Sequence, residues 1–147
     1  MGTYSFLNTN CALTGPGGSI DLGAGASVAE EGIGIDVNDD INNMVVGADG
    51  KVMHSLGANK SGTISVRLLK TSPTNQKLSA MYAFQTQSAE NHGKNTISLA
   101  NSITNDSITC QFVAFKRRPA ISYAKNGDII EWMFDAGVID ITLGGNV

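Results

Sequence analysis

At 147 residues, with a net charge of −3 and 17 glycines, the chain is sized for one domain that buries about 68–70% of its unfolded surface. Abundant Gly, Asn and Ser favour short strands joined by turns over a helical bundle. No Lys or Arg precedes Lys51, whereas Asp21, Glu30, Glu31, Asp36, Asp39, Asp40 and Asp49 all do, so the N-terminal third is unsuited to gripping nucleic acid.

Tyr4–Leu7 and Cys11–Thr14 read as a broken strand, Gly15-Pro16-Gly17-Gly18 as a turn, and Ile20-Asp21-Leu22 as the returning arm of a hairpin. Gly23-Ala24-Gly25-Ala26 is either a connector or a place where another backbone approaches closely. In the strand expected from Val28 to Val37, Ile33, Ile35 and Val37 point one way and Gly32, Gly34 and Asp36 the other. Residues 36–62 then form a long polar excursion. A strand from Asn42 to Ala48 turns at Asp49-Gly50 into a return strand from Lys51 to Leu56. Long insertions of this kind are usually functional or mobile.

Gly62–Ser88 is the organising stretch. Ile64, Val66 and Leu68 alternate with Thr63, Ser65 and Arg67, a strand with one aliphatic face. At Thr71-Ser72-Pro73 the period changes, because Ser72 can accept from first-turn amides and Pro73 has a helical φ built in. The helix expected over about 73–88 gathers Leu78, Met81, Tyr82 and Phe84 in one arc; Gln85 falls in the same arc, which predicts a half-covered helix. After it, strands over Thr96–Ile103 and Ser107–Phe115 flank a turn at Thr104-Asn105-Asp106, and Lys116-Arg117-Arg118-Pro119 ends the second of them. Ile121-Ser122-Tyr123 leads to an Asn126-Gly127 turn. In the strand Asp128–Ala136, Ile130, Trp132 and Phe134 face inward while Glu131, Met133 and Asp135 face away; Val138–Leu143 completes the sheet.

Chemical motifs fail on spacing. A dinucleotide turn at Gly23-Ala24-Gly25 needs a third glycine where Val28 stands, and a calcium loop opening at Asp36 needs a glycine where Ile41 stands. His54 and His92 have no Cys or His at ligand spacing. Neither an enzyme nor a metal or other cofactor is expected. Cys11 and Cys110 read as small buried hydrophobes in a reducing compartment rather than a disulfide. MGTYSFLNTN lacks a basic segment leading into an apolar run, and nothing approaches ~18 continuous apolar residues, so neither a signal peptide nor a membrane partner is expected.

The run MHSLGANKSGTISVRLLKTSPTNQKLSAMYAFQTQS resembles the tail tube proteins of contractile-tailed bacteriophages, a likeness supported by MGTYSFLNTNCALTGPGG, GAGASVAEEGI and SYAKNGDIIEWMFDAGVIDITLGG. It covers nearly all of the chain. The resemblance implies a mainly β sandwich or barrel with one helix, a single domain over 1–147. Oligomerisation completes it into a hexameric ring with a shared inner barrel, and rings stack into a tube. It implies as partners a tail sheath, tape measure and baseplate proteins, and double-stranded DNA in transit without sequence-specific binding. The location implied is the virion, after assembly in the host bacterial cytoplasm.

On that frame the expected lumen residues are Gly34, Asp36, Ser65, Arg67 and Glu131, with Arg67 requiring a carboxylate across the strands. The expected inter-ring contacts are Asp39, Asp40, Asp49, Gly50, Lys51 and His54, and the expected sheath or subunit docking patch is Lys116, Arg117 and Arg118. A secretion-system or baseplate tube component of the same fold is the alternative, followed by a stand-alone β-domain that binds a ligand.

Overall fold

Alternation of side chains fixes which face of the sheet is buried. In the computed structural model, which describes residues 9–23, 28–102, 105–119 and 129–144 (backbone only at 28–31), strand β6 (Gly62–Leu69) buries Ile64, Val66 and Leu68 and turns Thr63, Ser65 and Arg67 outward. It pairs antiparallel with β3 (Val28–Val37) on one side and β9 (Ile129–Thr142) on the other. With β1 (Thr9–Gly15), β2 (Gly18–Asp21), β7 (Asn95–Asn101) and β8 (Asp106–Arg117), these make a seven-stranded sheet ordered β2-β1-β7-β8-β9-β6-β3. Strands β4 (Asn42–Val46) and β5 (Val52–Leu56) pair only with each other.

The sheet curls. Ile33 and Ile35 on β3 share a cavity of about 220 Å3 with Leu99 on β7, Ile108 on β8 and Thr9 on β1. In the strand order β3 and β7 have three strands between them, so a common cavity requires the sheet to bend back on itself. It does not close among the described residues, where β2 and β3 remain edges.

Helix α1 (Thr74–Gln85) lies on the inner side. Pro73 supplies φ −66°, and the Thr74 amide donates to Ser72 Oγ at 3.3 Å, as the Ser-Pro pair predicts. The buried stripe is Thr74, Leu78, Met81 and Gln85, at the three- and four-residue spacing of one helical face. Tyr82 packs edge-on to Phe115 at 5.5 Å, and Phe115 in turn meets Trp132 at 6.0 Å and Phe134 at 4.9 Å. Trp132 Nε1 donates to Asn75 Oδ1 at 3.0 Å, which ties β9 to the first helical turn.

The helix is half covered, as expected, with six of its twelve residues exposed, but Phe84 and Gln85 exchange places. Gln85 is only 1% exposed, while Phe84 rather than Gln85 faces solvent. The Gln85 and Asn95 amides donate to each other's carbonyl oxygens, each at 2.7 Å, and Gln85 Nε2 also donates to the Pro16 carbonyl at 2.8 Å. One amide thereby pins the end of α1, the start of β7 and the β1–β2 turn. Gly15 is required beside it, because a Cβ there would collide with Asn95 Oδ1.

The two half-strands expected at 128–136 and 138–143 are one strand, because β9 stays paired with β8 through both. The expected strand at Tyr4–Leu7, the Ala24–Ala26 segment, the Ile121–Tyr123 segment and the Asn126-Gly127 turn lie outside the described residues.

Both thiols are free and buried. Cys11 sits opposite Leu99 and Cys110 opposite Ile97, on the two strands flanking β7. Two strand spacings, roughly 10 Å, exceed what a disulfide spans. Burial, with smaller contributions from Cys110 and Asp21, pushes the Cys11 thiol from 9.0 up to about 12. Burial also pushes Cys110 up to about 11, with help from Asp140.

Two outcomes follow for the unassembled subunit. Gln85→Ala strands the Asn95 amide in the interior and lowers stability by about 1–3 kcal/mol, measured by urea unfolding. A thiol raised in the fold stabilises it below the unfolded value and loses that contribution as pH climbs. The unfolding free energy therefore declines between pH 9.0 and about 12, and Cys11→Ala makes that decline shallower in a pH series of urea midpoints.

Candidate functional site: an outward sheet face and a projecting arm

The outward face of β3, β6, β9 and β8 is built by the odd phase of the alternation that builds the core. Gly34 pairs with Ser65, Asp36 with Thr63, and Arg67 with Glu131, so the five residues expected together on one polar face do share one. Arg67 Nε lies 2.9 Å from Glu131 Oε2. The close approach of β3 and β6 depends on Gly34, where a Cβ would sit 3.0 Å from Ser65 Oγ. Further along, Lys116 Nζ lies 3.9 Å from Asp135 and Lys60 Nζ 4.0 Å from Asp140. Three acids along β9 thus face three cations, one each from β6, β8 and the root of the arm.

The basic run does not form a single patch. Lys116 meets Asp135, and a register shift between Phe115 and Arg117 keeps Arg117 on the same side, where its Nη2 donates to Met133 Sδ at 3.5 Å. Arg118 goes to the helix side, its guanidinium 5.2 Å from the centre of the Tyr82 ring. There it borders an apolar groove of about 290 Å3 with Pro119, Ile130 and Trp132. Lys116 and Arg117 therefore lie with Arg67 and Glu131, and Arg118 lies apart from them.

Beyond Val37 and Gly62 the β3–β6 pair continues as an arm. Asn38 N–H donates to the Ser61 carbonyl at 3.0 Å and Gly57 N–H to the Ile41 carbonyl at 2.6 Å, which leads into the β4–β5 ribbon. Its tip turns at Gly50, φ +84°, with Lys51 N–H donating to Asp49 Oδ1 at 3.1 Å. Asn42 Nδ2 and His54 Nδ1 are 3.1 Å apart across the strands. Of the expected inter-ring residues, Asp49, Gly50 and Lys51 crown the tip, Asp39 and Asp40 sit at the root, with Asp39 accepting from Asn59, and His54 lies mid-ribbon.

Every residue from Asp36 to Lys60 is exposed. The excursion is less polar than its sequence implies: eight of the fourteen large hydrophobic side chains exposed among the described residues lie between Val37 and Leu56, with Leu56 itself 84% exposed. The overlooked signal is the unbroken run Met44-Val45-Val46 facing Val52-Met53, apolar on both faces of a ribbon with no third strand. Thirteen residues, Val37 to Asp49, reach at most about 40 Å from end to end when extended.

Among the described residues no cluster of three His, Cys, Asp or Glu could hold a metal, and no helix is long and apolar enough to cross a membrane. The mainly β architecture with one helix is shared with solved subunits of contractile injection particles. It resembles a subunit of the extracellular contractile injection system PVC sheath–tube complex in the extended state, TM-score 0.61 at 12% identity over 96% of this chain and 92% of that one. It also resembles a subunit of the anti-feeding prophage tube-terminating cap, TM-score 0.60 at 13% identity over 97% and 93%. Identities this low establish the fold. Residues 1–144 match the family described as Bacteriophage PhiTE tail tube protein, and the chain belongs to that family, a family of tail structural proteins. No curated protein matches the chain in sequence.

Arg67 and Glu131 side chains remain 29% and 40% exposed, so solvent screens their attraction. Glu131→Ala is expected to change the subunit's unfolding free energy by less than about 1 kcal/mol; a larger loss in urea titration would make the pair a structural requirement of the sheet.

Proposed function

We propose that copies of this chain close into hexameric rings, stack into the hollow tube of a phage tail, and form the conduit through which the genome leaves during infection. The observation that carries this is the arm. An isolated two-stranded ribbon is marginal in water, and an exposed apolar ribbon invites association, so its side chains need partners outside the subunit. Head-to-tail contact around an axis gives rings, and contact along it gives a stack. The arm supplies the axial contact, with Asp39, Asp40, Asp49, Gly50, Lys51 and His54 against the next ring, and the open edges β2 and β3 supply the lateral one.

The face with Gly34, Asp36, Ser65, Arg67 and Glu131 lines the lumen. Duplex DNA is held by cations that release its counterions. Here Arg67, Lys116 and Lys60 each stand beside a carboxylate, and such a wall lets a polyanion slide. Lys116 and Arg117 belong to this wall, which leaves Arg118 and the groove beside α1 as the surface for the sheath. Tape measure protein in the lumen and a baseplate at one end complete the set of partners, and the finished tube resides in the virion after assembly in the host cytoplasm. A second reading, a tube or baseplate component of an injection particle, is favoured by the injection-system subunits that share the fold.

Electron microscopy of the purified protein discriminates these readings. Long tubes support the tail, short stacks or lone rings support the second reading, and a monomer that never polymerises rejects both. Replacing residues 39–59 by a short Gly-Ser turn is expected to leave rings that no longer stack. Changing Glu131 and Asp135 together to lysine is expected to make tubes retain duplex DNA in low salt and release it steeply as salt rises.

A further inference from the structure

Phe112 breaks two rules at once. It is a bulky aromatic at φ +54°, in the left-handed region that non-glycine residues rarely occupy, and its side chain is 67% exposed. Against β7, Cys110 pairs with Ile97 and Val113 with Asn95, so β8 carries one extra residue there; Cys110 and Val113 are both fully buried, and the intervening Gln111 and Phe112 face outward in succession. The partner strand accommodates this. Gln111 pairs with Val138 and Val113 with Ala136, which sets Phe112 opposite Gly137, where a Cβ would lie 2.9 Å from that of Phe112. Glycine or asparagine would make this bend with less strain. The backbone therefore does not explain the ring, and strain of this kind concentrates at functional sites.

The position of Phe112 limits what can cover it. β8 is the fourth of seven strands, three spacings or about 14 Å from either edge, beyond the reach of a neighbour that pairs along β2 or β3. Gly137 shares its outward face with Asp135 and Glu131, whose cations Lys116 and Arg67 are already engaged. Aromatic platforms that hold nucleic acid combine stacking with a basic groove, and duplex DNA keeps its bases inside. An apolar ring among neutralised charges suits the uncharged, apolar side chains of a polypeptide instead.

We propose that Phe112 is the contact by which the tube wall grips a polypeptide passenger: one phenylalanine per subunit forms a girdle around the channel that holds an apolar segment of a threaded chain while letting duplex DNA pass. This rests on the conduit reading of the outward face.

Two variants test it. Phe112→Cys in assembled tubes is expected to react with a small maleimide as fast as in dissociated subunits, since Cys11 and Cys110 are buried; protection in tubes would place the residue under a second copy and overturn the proposal. Phe112→Asn suits the left-handed backbone, so it is expected to raise the melting temperature by about 2–4 °C. The same change is expected to weaken retention of a fluorescent peptide of alternating leucine and glutamine about fivefold to tenfold, in tubes and in free subunits. Unchanged peptide retention, or a matching loss of duplex oligonucleotide binding, overturns it. Because the peptide measurement also reads on free subunits, failure of the wild-type chain to form tubes counts against the conduit alone.

Discussion

One helix is too small for this sheet, and the rest of the architecture follows from that. Twelve residues of α-helix are about 18 Å long and 10 Å across, whereas seven strands span about 29 Å. α1 covers the middle, through Leu78 and Met81 and through the Tyr82–Phe115 contact. The remainder of the inner face must shield itself, so the sheet bends until Ile33 and Ile35 meet Leu99 and Ile108. Bending without closing leaves two strand edges and one outward face among the described residues.

Outward and inward faces are made by the same strands and obey opposite chemistry. Inside, the few polar groups are matched in pairs, as with the Gln85 and Asn95 amides, and no buried side-chain nitrogen or oxygen lacks a partner among the described residues. Outside, charges are matched across strands while remaining in water, where each pair contributes little stability. Such pairs flatten the electrostatic field above the face. Arg67 stands beside Glu131 and Lys116 beside Asp135, so the charges of this face are balanced locally.

The arm shows the reverse imbalance. Its backbone hydrogen bonds to the body lie at its root, from Asn38 N–H to the Ser61 carbonyl and from Ile139 N–H to the Lys60 carbonyl, and it has no third layer to bury Met44, Val46 or Leu56. A subunit that exposes this much apolar ribbon keeps part of its folding incentive in reserve for assembly.

Residue order alone settled the local structure. Period-two runs at Ile64–Leu68 and Ile130–Phe134, the Ser72-Pro73 helix start and the Asp49-Gly50 turn depend on neighbours within a few residues, and each lies where its pattern places it. The shared face of Gly34, Ser65, Arg67 and Glu131 was readable as strand phase, although Glu131 as the partner of Arg67 required the register between β6 and β9. Three features depend on which elements meet in space. Gln85 is buried because Asn95 on another element and Pro16, remote in the chain, meet it; Arg118 parts from Lys116 and Arg117 because of a register slip against β9. Phe112 points outward because both strands change phase opposite Gly137, and a phase change arises from a paired strand that no pattern of residue types along one strand records.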